Sequence, residues 1–201
     1  MSLLRAFIAV EIPPEIHQAI EAETASLRAA LNASLVRWVS LPNVHLTLKF
    51  LGDVSPASIE LLSQMLSVEV GQHLVFEMEL GELGAFPNSR RPRVIWIGIQ
   101  VPAELEALQH GIEAAAATLG YPAEKRSFSP HLTIGRVKQN VGSAGMIKIR
   151  TVLEKTQIGQ LGTVHVTAVH LFKSDLKPTG AVYTRLFSAP LKNEFGPERR
   201  A

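Results

Sequence analysis

The chain writes one short pattern twice, and this repeat restricts its folding more than any other feature. VHLTLKFLG runs from Val44 and PHLTIGRVK from Pro130, so His45 and His131 stand 86 residues apart in like surroundings. Both stretches read as strands, over 45–51 and 131–137. In a strand, residues two apart share a face. His45 and Thr47 therefore project together, as do His131 and Thr133. Leu46, Leu48 and Phe50 turn to the core behind the first pair, and Leu132 and Ile134 behind the second. That apolar face fixes the register, because a slip of one residue would exchange the two faces. A helix leads into each strand. Two similar halves predict two lobes with pseudo-twofold symmetry and a cleft lined once by each half.

The rest of the chain mixes short strands and helices. Strands are expected over 3–12, 73–86, 94–101, 164–172 and 181–187, and helices over 14–33, 56–68, 103–119 and 145–155. The order predicts an α+β fold, two antiparallel sheets flanked by helices. Residues 1–190 read as one bilobal domain and 191–201 as a frayed tail. The chain of 201 residues contains no cysteine, which excludes disulfides, thiolate nucleophiles and cysteine zinc sites. The N-terminus MSLLRAFIAVEIPPE has its apolar run broken by Arg5 and ended by Glu11, unlike a signal peptide. No stretch approaches the roughly 20 apolar residues of a membrane span. A cytoplasmic monomer is expected. A net charge of +2 is compatible with a phosphate or nucleic acid ligand without demanding one.

Two opposed histidines suit general acid–base chemistry. An unperturbed imidazole titrates near 6.5, so one ring can be neutral while the other is protonated. The neutral ring takes a proton from water or a hydroxyl, and the charged ring gives one to the leaving oxygen. Each transfer is worth roughly 10²–10⁴-fold. In-line displacement at phosphorus requires the two groups on opposite sides of the reacting centre, and threonine hydroxyls beside them can hold the non-bridging oxygens. The chemistry calls for no metal and no cofactor. A third triplet, His165-Val166-Thr167, has polar flanks and no trailing basic residue, and reads as the outer face of a strand. His17, His73 and His110 read as solvated, and His170 stays open.

RWVSLPNVHLTLKFLGDV (37–54), FSPHLTIGRV (128–137) and RAFIAVEIP (5–13) resemble the two-histidine (2H) phosphoesterases. Within them the chain is similar to the RNA 2′,3′-cyclic phosphodiesterases, also called 2′-5′ RNA ligases. GAFPNSRRPRVIWIGI (84–99) and HLFKSDLKPTGAVYTRL (170–186) extend the likeness over nearly the whole chain. The resemblance implies a bilobal 2H-phosphoesterase-like fold with one motif per lobe. It implies metal-free hydrolysis of an RNA 2′,3′-cyclic phosphate, or a cyclic nucleotide, to a 2′-phosphate. His45 would be the proton donor to the 3′-oxygen, His131 the proton acceptor from water, and Thr47 and Thr133 the phosphate ligands. The segment 138–160 matches nothing that carries over.

Further candidates follow. Arg5, Phe7, Ala9 and Glu11 share one strand face, so Phe7 is open to stacking on a base or to packing in a second layer. By strict alternation Arg136 points away from His131, whereas the resemblance favours a substrate contact. Arg90, Arg91 and Arg93 read as a solvated turn, Trp38 and Tyr183 as packing residues. Within the family, formation or cleavage of 2′-5′ linkages, or action on small cyclic nucleotides, stays open. Two alternatives lie outside it. One is a metal hydrolase built on His45, His131, His165 and His170, although Asp53 and Asp175 lack ligand-like spacing. The other is a non-catalytic RNA- or nucleotide-binding module, which has no need of two titratable rings.

Overall fold

The computed structural model describes residues 2–177 and 180–193. The opening run of strand formers is β1 (Leu4–Glu11). Pro14 starts α1 (Pro14–Ala30), its fixed φ suiting the first helical position. Ile16, Ile20 and Leu27 form the buried stripe of α1. The helix ends before residue 33 because Leu31 has already left helical backbone. A short strand that the sequence pattern did not reveal, β2 (Val36–Trp38), follows. Next come β3 (His45–Val54), α2 (Ile59–Val70), β4 (Phe76–Phe86), β5 (Val94–Ile99) and α3 (Ala103–Thr118). The chain closes with β6 (His131–Val137), α4 (Ser143–Lys155), β7 (Gln160–Val166), β8 (Ala168–Lys177) and β9 (Gly180–Pro190).

The strands form one path, β7-β4-β5-β6-β3-β1-β8-β9, with β2 added to β6. Every ladder between these strands is antiparallel. The two expected sheets are therefore two halves of one sheet. They meet where the motif strands β3 and β6 touch, through the single pair Leu46↔Leu132. Both leucines are fully buried, which fixes the seam. The lobes do not follow the halves of the sequence. The middle of the chain (β4–β7) makes one lobe, and its two ends (β1, β3, β8, β9) make the other. On the core side α1 packs on β7 and α4, while α2 and α3 pack together against β8, β9 and β3.

The strand expected over 164–172 is two strands, because the chain crosses between lobes at Thr167. The apolar pattern continues across the break (Val164, Val166, then Val169, Leu171), so periodicity alone hides it. Of the expected tail, Leu191 is buried and Lys192 bridges Leu74; residues 194–201 lie outside the described residues. Among the described residues, no helix is long and apolar enough to cross a membrane.

Candidate active site

Both motif strands contain the same irregularity. Along β3 the register steps from Ala9↔Thr47 to Ile8↔Lys49. Along β6 it steps from Trp96↔Thr133 to Ile95↔Gly135. Each step is a β-bulge carrying one extra residue, Leu48 or Ile134, and past it the side-chain alternation changes phase. Lys49 and Gly135 turn to the core, whereas Phe50 and Arg136 join the histidine face. Phe50, expected in the core, is instead 57% exposed. Arg136, which strict alternation sends away from His131, is exposed on the same face as His131. The swap has consequences in the core. A Cβ on Gly135 would press on Trp38 and Val36. Lys49 is only 2% exposed, and its ammonium donates to the Glu113 carboxylate at 2.6 Å and the Pro122 carbonyl at 3.0 Å.

His45 and His131 are held in the same way. His45 Nδ1 lies 2.8 Å from the Asn43 carbonyl, and His131 Nδ1 lies 2.7 Å from the Ser129 carbonyl. A carbonyl only accepts, so Nδ1 carries the hydrogen in both rings, and Nε2 makes no hydrogen bond among the described residues. Asn43 also donates from Nδ2 to the Ala181 carbonyl at 2.8 Å, tying the turn before β3 to β9. Thr47 and Thr133, two residues after each histidine, are partly exposed on the same face.

Aromatic rings back each imidazole. Phe7 stacks on His45, centroids 4.8 Å apart, and Tyr183 meets His45 edge-on at 5.1 Å. Phe86 meets His131 edge-on at 4.8 Å. Trp96 lies 6.4 Å from His131, over Gly84, where a Cβ would collide with the indole. Of the two readings of Phe7, packing in a second layer is the one its burial fits. The residue is 4% exposed, with His45 and Phe172 stacked on it. It belongs to a small second cluster on the site face, with Ala9, Phe172 and Tyr183.

The electrostatics are less symmetric than the geometry. Glu11 pairs in register with His45, whereas the residue paired with His131 is Gly98. The Glu11 carboxylate accepts from Arg185 at 2.6 Å and lies 3.6 Å from His170 Nε2. His170 Nδ1 is 2.8 Å from the Ser188 hydroxyl. Burial holds His45 and His131 below the usual imidazole value of 6.5. The Asn43 and Ser129 carbonyls favour the respective cations, and the Arg136 guanidinium opposes both. Glu11 adds a pull toward the cation at His45.

The remaining candidates lie elsewhere. His165 is on β7, three strands from β6, and its closest acidic group is Glu77 at 3.8 Å. The four histidines of the metal-hydrolase alternative are thus not gathered. Among the described residues no group of three or more His, Cys, Asp or Glu is placed to hold a metal ion. Arg90 and Arg91 cap the Asn88 side chain through their amides in an exposed turn. Trp38 donates its indole N–H to the Leu31 carbonyl.

Comparison with known proteins finds a family pattern repeated along the sequence. The family described as LigT like Phosphoesterase matches twice, over residues 10–96 and 97–183, one motif in each match. The chain is 31% identical to the RNA 2′,3′-cyclic phosphodiesterase of Methanothermobacter thermautotrophicus over 90% of its length and 95% of that protein. It is 33% identical to that of Methanocaldococcus jannaschii, over 90% and 96%. Among solved structures, TT0787 of Thermus thermophilus superposes with a TM-score of 0.77 at 27% identity, covering 95% of this chain and all of that one. LigT of E. coli complexed with 3′-AMP superposes with a TM-score of 0.72 at 28% identity, covering 94% and 98%. With a histidine from each matched half at the seam of two like lobes, the chain belongs to the LigT-like family of two-histidine phosphoesterases.

Proposed function

We propose that the chain hydrolyses 2′,3′-cyclic phosphate ends of RNA to 2′-phosphomonoesters, using His45 as acid and His131 as base and no metal. The observation that carries this reading is the pair of imidazoles from opposite halves, each with Nδ1 bound to a carbonyl and, among the described residues, no partner on Nε2. The relatives' activity agrees with it. His131 Nε2 takes a proton from water as the water oxygen attacks phosphorus. The P–O3′ bond breaks, and His45 Nε2–H protonates the leaving 3′-oxygen. The product is a 2′-phosphate with a free 3′-hydroxyl. Exchange with solvent returns the proton from His131 and restores the one on His45. Replacing water by a 5′-hydroxyl makes the same chemistry a 2′-5′ ligation.

The pseudo-twofold site needs something to decide which histidine is the acid. Glu11 supports the assignment to His45, since a carboxylate stands beside that ring and glycine beside the other. Thr47 and Thr133 hydroxyls and the Arg136 guanidinium hold the charge on the non-bridging oxygens. Phe50 offers the exposed aromatic surface that Phe7 cannot, and a base stacks there. Every one of these residues comes from a single chain, in keeping with a monomer, and an RNA substrate agrees with a cytoplasmic location. Turnover of an RNA oligomer bearing a 2′,3′-cyclic phosphate should persist in excess EDTA. Complete loss in chelator, restored by a divalent ion, would sink the metal-free mechanism.

A further inference from the structure

The histidine face continues past the catalytic groups. Beyond Leu132, β3 leaves the edge of β6 and β2 takes its place, with Val39 N–H bonding to the Ile134 carbonyl. In that ladder Arg37 stands directly opposite Arg136. Val36 is fully buried, and Trp38 packs toward α1, under Arg28 and against the Leu31 carbonyl. Both flanking residues thus occupy the core face. Arg37 is left on the face that carries His131, Thr133 and Arg136, and both arginines are exposed. Like charges opposite each other across two strands are destabilising. Among the described residues neither guanidinium has a salt-bridge partner to relieve the repulsion. An anion between them does relieve it, and a guanidinium fork suits phosphate oxygens.

We infer that Arg37, together with Arg136, forms a second phosphate subsite that takes the internucleotide phosphodiester on the 5′ side of the terminal cyclic phosphate. This rests on the activity proposed above. Arg136 reaches the reacting phosphate, and Arg37 stands one strand further out, where the next backbone phosphate of an RNA strand arrives. A cyclic mononucleotide without a 5′-phosphate has no group for Arg37, so the subsite makes the enzyme prefer the end of a strand over a free nucleotide.

The test compares the wild type with Arg37→Ala and Arg37→Lys on two substrates. One is a short RNA ending in a 2′,3′-cyclic phosphate, and the other is cytidine 2′,3′-cyclic phosphate. Arg37→Ala should lower kcat/KM for the RNA on the order of ten-fold and reduce the log–log salt slope by roughly 0.7. Turnover of the cyclic mononucleotide should change little. Arg37→Lys should recover most of the RNA activity, because it keeps the point charge. Equal losses on both substrates, or an unchanged salt slope, would overturn the subsite while leaving the hydrolase reading intact. A wild type inactive on both substrates removes that reading, and the subsite with it.

Discussion

The bulge that brings Phe50 to the site sends Lys49 into the core, and the stability of that arrangement depends on Glu113. Lys49 is 2% exposed, and its ammonium bonds Glu113 on α3 at 2.6 Å. The change Glu113→Gln keeps the shape of the side chain and an oxygen to accept the Glu124 amide, now at 3.2 Å. It removes the countercharge, together with the oxygen that accepts from Gln109 Nε2 at 3.4 Å. Breaking one side of a buried pair costs about 3–5 kcal/mol, since the remaining charge cannot be hydrated. For a domain of this size that corresponds to a fall in Tm of about 6–20 °C. Replacing both partners, Lys49→Met with Glu113→Leu, leaves no charge behind and should stay within about 1 kcal/mol of wild type. Urea titrations read both through the midpoint, with the slope m showing that two-state unfolding holds. If Glu113→Gln costs under about 1 kcal/mol, or the double variant is as unstable as the single one, the argument from a charge stranded by the bulge is wrong.

Other outcomes follow from the site. His45→Ala and His131→Ala should each lower kcat roughly 10²–10⁴-fold with the fold retained by circular dichroism, whereas His165→Ala should be near normal. A His165 effect equal to the others would refute the choice of triplets. Phe50→Ala should cost about 1–3 kcal/mol of base stacking, seen as a higher KM with little change in Tm, since the ring is exposed. Because burial lowers both His45 and His131, the proposed acid and base, the bell of kcat/KM against pH should lie on the acid side of neutrality. Glu11→Gln removes the carboxylate that favours the His45 cation, so the alkaline limb should move to lower pH while the acid limb, set by His131, stays. Movement of the acid limb instead would reverse the roles. The same lowering, shared by His170, means that the unfolded chain binds more protons than the folded one just below pH 6.5. Stability should therefore fall as pH drops through that range.

The two motif copies made the site legible in the sequence, because a strand carries residues two apart to one face and the leucines between them fix which face is buried. The face shared by Phe7, Ala9 and Glu11 was readable on the same rule. The bulges were not, because a pleated strand with one extra residue has the composition of one without. Their trace lies in comparing the copies, since Phe50 and Arg136 both stand five residues after their histidine, beside Lys49 and Gly135. That alignment links an apparent core phenylalanine with an apparent outward arginine, and only a change of phase lets both face the site. The lobe crossing at Thr167 was hidden for a related reason, the apolar pattern running on through the break. Phe7 stayed open between stacking and packing in the sequence, because sharing a face with the site does not reveal which neighbours cover it, here His45 and Phe172. β2 is only three residues long, too short for any periodicity, and its place on β6 comes from where β3 departs.

The most direct measurement is the identity of the product. RNA bearing a 2′,3′-cyclic phosphate is incubated with the enzyme and with its His45→Ala and His131→Ala variants, and the phosphomonoester is assigned by ³¹P NMR. The wild type should give a 2′-phosphate and either variant almost none, because water activated at His131 displaces the 3′-oxygen protonated at His45. A product that is mainly 3′-phosphate would contradict the roles assigned to the two histidines.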